Sequence, residues 1–98
     1  MKNKKYNMTD LNNVMESLLA ENGCPWDKVQ THETLKNYLI EESYEVVEAI
    51  DNKDSENLCE ELGDVLFQII FHSKLAEREN KFDFSDVVNN VTAKMIYR

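Results

Sequence analysis

Ninety-eight residues suffice for one domain with one core, and a chain of that size buries roughly 60–65% of its unfolded surface. With 42% apolar and 31% charged residues but only two Gly and one Pro, the composition describes helices rather than a turn-rich β fold. A net charge of −8 excludes nucleic-acid wrapping and attraction to anionic membranes, which require clustered Lys and Arg.

The acid excess leaves a phosphate substrate open, because a bound divalent cation inverts the local sign of a carboxylate site. No apolar run approaches the roughly 18–20 residues of a membrane span. Cys24 and Cys59 form neither a CxxC nor a Cys/His zinc spacing, and no apolar leader precedes them. A cytoplasmic protein with two reduced thiols is expected.

In chain order, the first eight residues, MKNKKYNM, are polar and basic and are expected to be loose. Thr9 or Asp10 is the expected cap of a first helix carrying Leu11, Val14, Met15, Leu18 and Leu19 on one face. Gly23 and Pro25 end it, and residues 24–30 read as a loop. Thr31 caps a second helix running to about Ile50, and Asp54 or Ser55 caps a third lasting to about Glu79. After a loop holding Phe82 and Phe84, Ser85 caps a fourth helix from residue 86 onward, with Val87, Val88, Val91 and Met95 as its stripe. The expected fold is all-α: a single domain of four helices, antiparallel where the connections are short.

The second helix places Leu35, Leu39, Val46 and Ile50 in a sector of roughly 60°. Glu42 intrudes at the edge of that sector, and Glu45 flanks it. On the third helix, LGDVLFQIIF is apolar nearly all round, yet Glu61, Asp64, Gln68 and His72 form one polar stripe of roughly 80°. Ionised carboxylates at the border of apolar faces cost several kcal/mol unless compensated, on the order of the penalty for burying an unpaired charge. The central part of the third helix carries no basic residue to supply that compensation. A divalent cation held by Glu42, Glu45, Glu61 and Asp64 would do so, since each pair has i, i+3 spacing and antiparallel packing brings the pairs together. An all-oxygen set favours Mg²⁺, or Mn²⁺, over zinc. A surface reading, in which these are the solvated acids of a charge-rich helix, competes with this one.

The runs CPWDKVQTHETLKNYLIEESYEVVEAI and EELGDVLFQIIFH, with KFDF at residues 81–84, resemble the MazG family of nucleotide pyrophosphohydrolases. The family's E-E-x-x-E then E-x-x-D order is matched by Glu41, Glu42 and Glu45, followed by Glu61 and Asp64. The resemblance implies hydrolysis of nucleoside triphosphates to monophosphate and pyrophosphate, with housecleaning of non-standard nucleotides as a role. It further implies a four-helix fold completed by dimerisation or higher self-association, with Mg²⁺ on the two acidic pairs and Glu41 acting on the attacking water. Lys94 and Arg98 fall where relatives carry phosphate-binding cations, although Tyr97 stands where many relatives have Arg. Lys28 is a further phosphate candidate, and Trp26 a candidate for stacking on the base.

A partner chain is also suggested by Phe67 and Phe71 lying opposite Leu62, Val65 and Ile69, which predicts a third helix covered on both sides. Relatives continue past the equivalent of Arg98 into an RHPHVF-like segment, so the chain is expected to be an excised N-terminal domain or a natural short form. Two alternatives compete with the enzyme. One is a helical nucleotide- or metal-binding regulatory module with little catalysis. The other is a di-iron bundle, disfavoured because no E-x-x-H occurs.

Overall fold

The structure, a computed structural model, describes residues 5–98. Among them are five helices and no strand: α1 (Met8–Leu19), α2 (Pro25–Lys28), α3 (His32–Asp51), α4 (Ser55–Arg78) and α5 (Phe84–Ile96). No helix is long and apolar enough to cross a membrane. The chain divides into two compact units, Met1–Gln30 and Thr31–Arg98.

In the first unit, the loose stretch expected over residues 1–8 lies partly outside the described residues, and Met8 already belongs to α1. The cap is Asn7 rather than Thr9 or Asp10. Asp10 N–H donates to Asn7 Oδ1 at 3.0 Å and Asn7 N–H donates to Asp10 Oδ2 at 2.9 Å. This reciprocal box satisfies two helix-end donors at once, so it starts the helix earlier than a lone Thr would. Met15 and Leu19 are buried, whereas Val14 is exposed.

After α1 the chain reverses at Gly23, whose N–H donates to Ala20 O at 2.8 Å. A Cβ at Gly23 would collide with the carbonyl oxygens of Leu18 and Ser17, so the glycine is required by close approach. The expected loop over 24–30 contains the four-residue helix α2, which begins at Pro25. A proline at the first helical position loses no hydrogen bond and arrives with its φ pre-set.

The second unit is organised around α3 and α4. Thr31 caps α3 as expected, accepting from Thr34 N–H at 3.2 Å, and Asp54 caps α4 by accepting from Asn57 N–H at 3.1 Å. Between the helices Lys53 adopts φ 55°, and Asp54 N–H reaches back to Ala49 O at 3.1 Å. That left-handed residue closes α3 and folds α4 back against it. The register pairs Glu45 with Glu61, Glu42 with Asp64, and His32 with His72.

Leu35, Ala49, Ile70, Phe71 and Ala76 form the core, with Phe71 edge-on to Phe67 at 6.1 Å between ring centroids. Buried Ser73 satisfies itself by donating to Ile69 O at 2.8 Å. α5 packs on α4. It starts two residues earlier than expected, because Asp83 rather than Ser85 caps it in a reciprocal box with Asp86. Phe84 is therefore helical rather than part of the loop.

Among the described residues of the second unit, α4 is not covered on both sides: Phe71 is fully buried, but Leu62, Leu66 and Ile69 are exposed. In the second unit only α3 and α5 pack on α4, and two helices cannot enclose a third. No residue of α5 is buried, so its stripe of Val88, Val91 and Met95 also faces outward.

Candidate metal centre

Helical spacing and hairpin register together build the centre. The i, i+3 steps place Glu42 above Glu45 on α3 and Glu61 below Asp64 on α4, and the antiparallel register turns the pairs toward each other. One carboxylate oxygen from each of Glu42, Glu45, Glu61 and Asp64 lies within 4.8 Å of all the others. Glu42 and Glu61 are half-buried, and Glu45 and Asp64 are exposed. The set expected from spacing thus converges.

No ion pair among the described residues reaches any of the four. Glu42 Oε2 is buried and has no hydrogen-bond partner. Its pKa is raised from the ordinary carboxylate value, first by loss of hydration and then by the charges of Asp64 and Glu45. Glu61 is pushed up to about 7 by loss of hydration and by its proximity to Glu45 and then Asp64. Hydrogen bonds between these carboxyls exist only while one of them carries a proton, because ionised carboxylates are acceptors only. Without a proton or a cation the cluster is four acceptors facing one another.

The donor set fits a hard divalent ion. Magnesium binds oxygen at about 2.1 Å, which puts opposite ligands about 4.2 Å apart. The 4.8 Å span therefore needs a slight contraction around one ion, or a second ion to share the carboxylates.

The other expected residues are placed as follows. Glu41 is exposed beside Glu42 and is not one of the converging four. Lys94 is exposed in the last turn of α5 and lines a shallow groove with Phe82, Asp86, Val87, Asn90 and Val91. Arg98 follows α5 and contacts Met95 Sδ at 3.6 Å. Neither cation contacts the acids. Trp26 and Lys28 belong to the first unit, where Trp26 is half exposed and Lys28 donates to Glu21 O.

Spacing placed Gln68 and His72 on the polar stripe but did not show what they meet. Gln68 and His72 continue the polar stripe along α4, and Gln68 Oε1 and His72 Nε2 are buried without partners. His72 is satisfied only through Nδ1, which faces Nδ1 of His32 at 2.7 Å. His32 is half-buried in that contact. No local pattern signals a pairing across forty positions; the hairpin register does.

Residues 30–98 match the family model described as the MazG nucleotide pyrophosphohydrolase domain. The chain is 48% identical to a Thermotoga maritima protein named nucleoside triphosphate pyrophosphohydrolase/pyrophosphatase MazG, over 91% of this chain and 35% of that protein. It is 48% identical to an Escherichia coli K12 nucleoside triphosphate pyrophosphohydrolase, over 76% of this chain and 28% of that protein. A Bacillus subtilis protein named uncharacterized protein YabN is also 48% identical, over 87% of this chain and 17% of that protein. The chain thus spans about a third or less of the length of these relatives.

Proposed function

The chain belongs to the MazG nucleotide pyrophosphohydrolase family, and from that premise we propose that it hydrolyses nucleoside triphosphates to nucleoside monophosphate and pyrophosphate with Mg²⁺ on Glu42, Glu45, Glu61 and Asp64. The observation that carries the reading is the convergence of four carboxylates from α3 and α4 with no basic side chain among them. Magnesium, or manganese in its place, neutralises the polyphosphate and polarises the scissile phosphoryl group when bound.

The chain supplies the rest. Glu42 and Glu61 hold a proton more readily than ordinary carboxyls, so a cation binds there by displacing protons and binds less tightly as pH falls. Glu41, exposed beside Glu42, accepts the proton of the attacking water. Lys94 and Arg98 neutralise the phosphate oxygens that a metal on the acids would not cover, with Lys28 as a further cation and Trp26 as a stacking surface for the base. The roles of these last four rest on the family resemblance.

A homodimer belongs to the same proposal. Ile40, Tyr44 and Val47 recur at i, i+4 and i+7 on α3, are 54%, 71% and 52% exposed, and line one apolar hollow with Leu39 and Ser43. Surface of this kind on a short chain marks an association site. Free Cys24 and Cys59 fit a reducing cytoplasm.

The test is pyrophosphate release from a panel of standard and non-standard nucleoside triphosphates with Mg²⁺, comparing wild type with Glu45→Ala. Release by the wild type and a loss of about 10²-fold or more in the variant is expected. Release untouched by the substitution would remove these acids from the reaction. No release from any nucleotide would instead leave a nucleotide- or metal-binding regulatory module.

A further inference from the structure

At the end of the α3–α4 hairpin away from the acids, two imidazoles meet. His32 opens α3, and its Nδ1 lies 2.7 Å from Nδ1 of His72 on α4. The ring planes differ by 7° and the centroids are 5.0 Å apart. Face-to-face rings would rest about 3.5 Å apart or more. Near-parallel rings with nitrogens 2.7 Å apart therefore meet edge to edge in a common plane, joined by one N–H···N bond.

Such a bond has room for a single proton, so one ring donates and the other accepts. Glu79 Oε1 lies 3.8 Å from His32 Nε2. His72 Nε2 is buried and unpartnered, which opposes a charge on His72. Burial first, and the charge of His32 second, lower the His72 pKa from the ordinary imidazole value.

We propose that His32 and His72 form a pH-sensitive latch, which pins the first turn of α3 to α4 and releases it when both imidazoles are protonated. The step is the uptake of one solvent proton at whichever Nδ1 is accepting, which replaces N–H···N by two opposed N–H groups. The other helices packed on α4 do not override it. On α3, Glu33 and Lys36 are exposed. On α4, Lys74 pairs with Glu77 at 3.1 Å. On α5, Asp86 is held by the capping box of Asp83, and Lys94 is exposed in the last turn. The latch stands apart from the acidic cluster and does not depend on the proposed hydrolase activity.

The experiment is amide hydrogen exchange at residues 31–36 of the full chain from about pH 7.5 to about pH 5.5, corrected for intrinsic exchange rates. Protection in the wild type is expected to fall by about tenfold per pH unit below the His72 titration, the slope of one linked proton. In His72→Gln the amide oxygen accepts from His32 without titrating, so the dependence should flatten. His32→Gln serves if that variant does not fold, because its carboxamide can present either an acceptor or a donor to His72. Imidazole nitrogen chemical shifts of the wild type should show one Nδ1 proton shared between the rings and His72 titrating below the ordinary imidazole value. Protection independent of pH in the wild type, an unchanged slope in the variants, or His72 titrating at the ordinary value would each overturn the latch.

Discussion

Magnesium binding should release protons, in a number set by Glu61. With the Glu61 pKa pushed up to about 7 by loss of hydration and by its carboxylate neighbours, the side chain is about half protonated at pH 7 and about nine-tenths protonated at pH 6. A cation requires the ionised form, so each ion bound displaces that proton. Proton release per site from Glu61 should therefore rise from about 0.1 at pH 8 to about 0.5 at pH 7 and about 0.9 at pH 6. Raised Glu42 adds to the release at the acid end. Apparent affinity should fall with a slope approaching tenfold per pH unit below pH 7.

Calorimetric titration of metal-free protein with MgCl₂ in two buffers of different ionisation enthalpy counts the released protons directly. Asp64→Asn, which removes one of the charges raising Glu61, should lower the count at pH 6. No proton release at pH 6, with affinity flat from pH 6 to 8, would refute the claim that the four acids confront one another without a counter-charge.

Two further outcomes follow from the described surfaces. Tyr44→Glu should leave the fold of a single chain intact, because Tyr44 is 71% exposed, yet weaken self-association by about tenfold or more by forcing a charge into an apolar contact; light scattering across a concentration series measures it. Gly63→Ala should raise stability by about 0.5–1 kcal/mol in a denaturant titration, because Gly63 lies inside α4 and an added Cβ meets nothing within 4 Å.

The legible part of the chain was the part governed by local periodicity and by caps that directly precede an apolar run. Thr31 and Asp54 stood where expected, and the four acids converged because helical spacing and a short turn leave them little choice. Two caps were misplaced where a reciprocal box starts the helix before the residue read as its cap. Asn7 with Asp10, and Asp83 with Asp86, each satisfy two donors, and both pairs show a polar residue repeated at i, i+3 in the sequence. α2 was missed although Pro25 at its first position is a start signal as much as a stop signal. The apolar circumference of α4 was read correctly as composition, but periodicity does not say what covers a face; Leu62, Leu66 and Ile69 are open in this chain. The His32–His72 contact belongs to no local pattern and follows only once the hairpin register is known.

That register gives the two ends of one hairpin opposite responses to pH. Glu61 has a raised pKa in the fold, so the metal-free protein gains stability from its protonation. The gain is complete below the unfolded value of about 4.5 and is lost as pH rises through about 7. His72 has a lowered pKa, so its contribution is complete above the unfolded value of about 6.5 and is lost as pH falls below it. The metal-free chain is thereby squeezed from both sides, with Glu61 failing on the alkaline limb and His72 on the acid limb. A bound cation removes the alkaline penalty because the ionised cluster is then the required form, and it leaves the imidazole pair at the other end untouched. Saturating Mg²⁺ should consequently shift only the alkaline limb of a melting-temperature-against-pH profile, while His72→Gln should shift only the acid limb. The two halves of the hairpin are chemically separate even though the same pair of helices carries both.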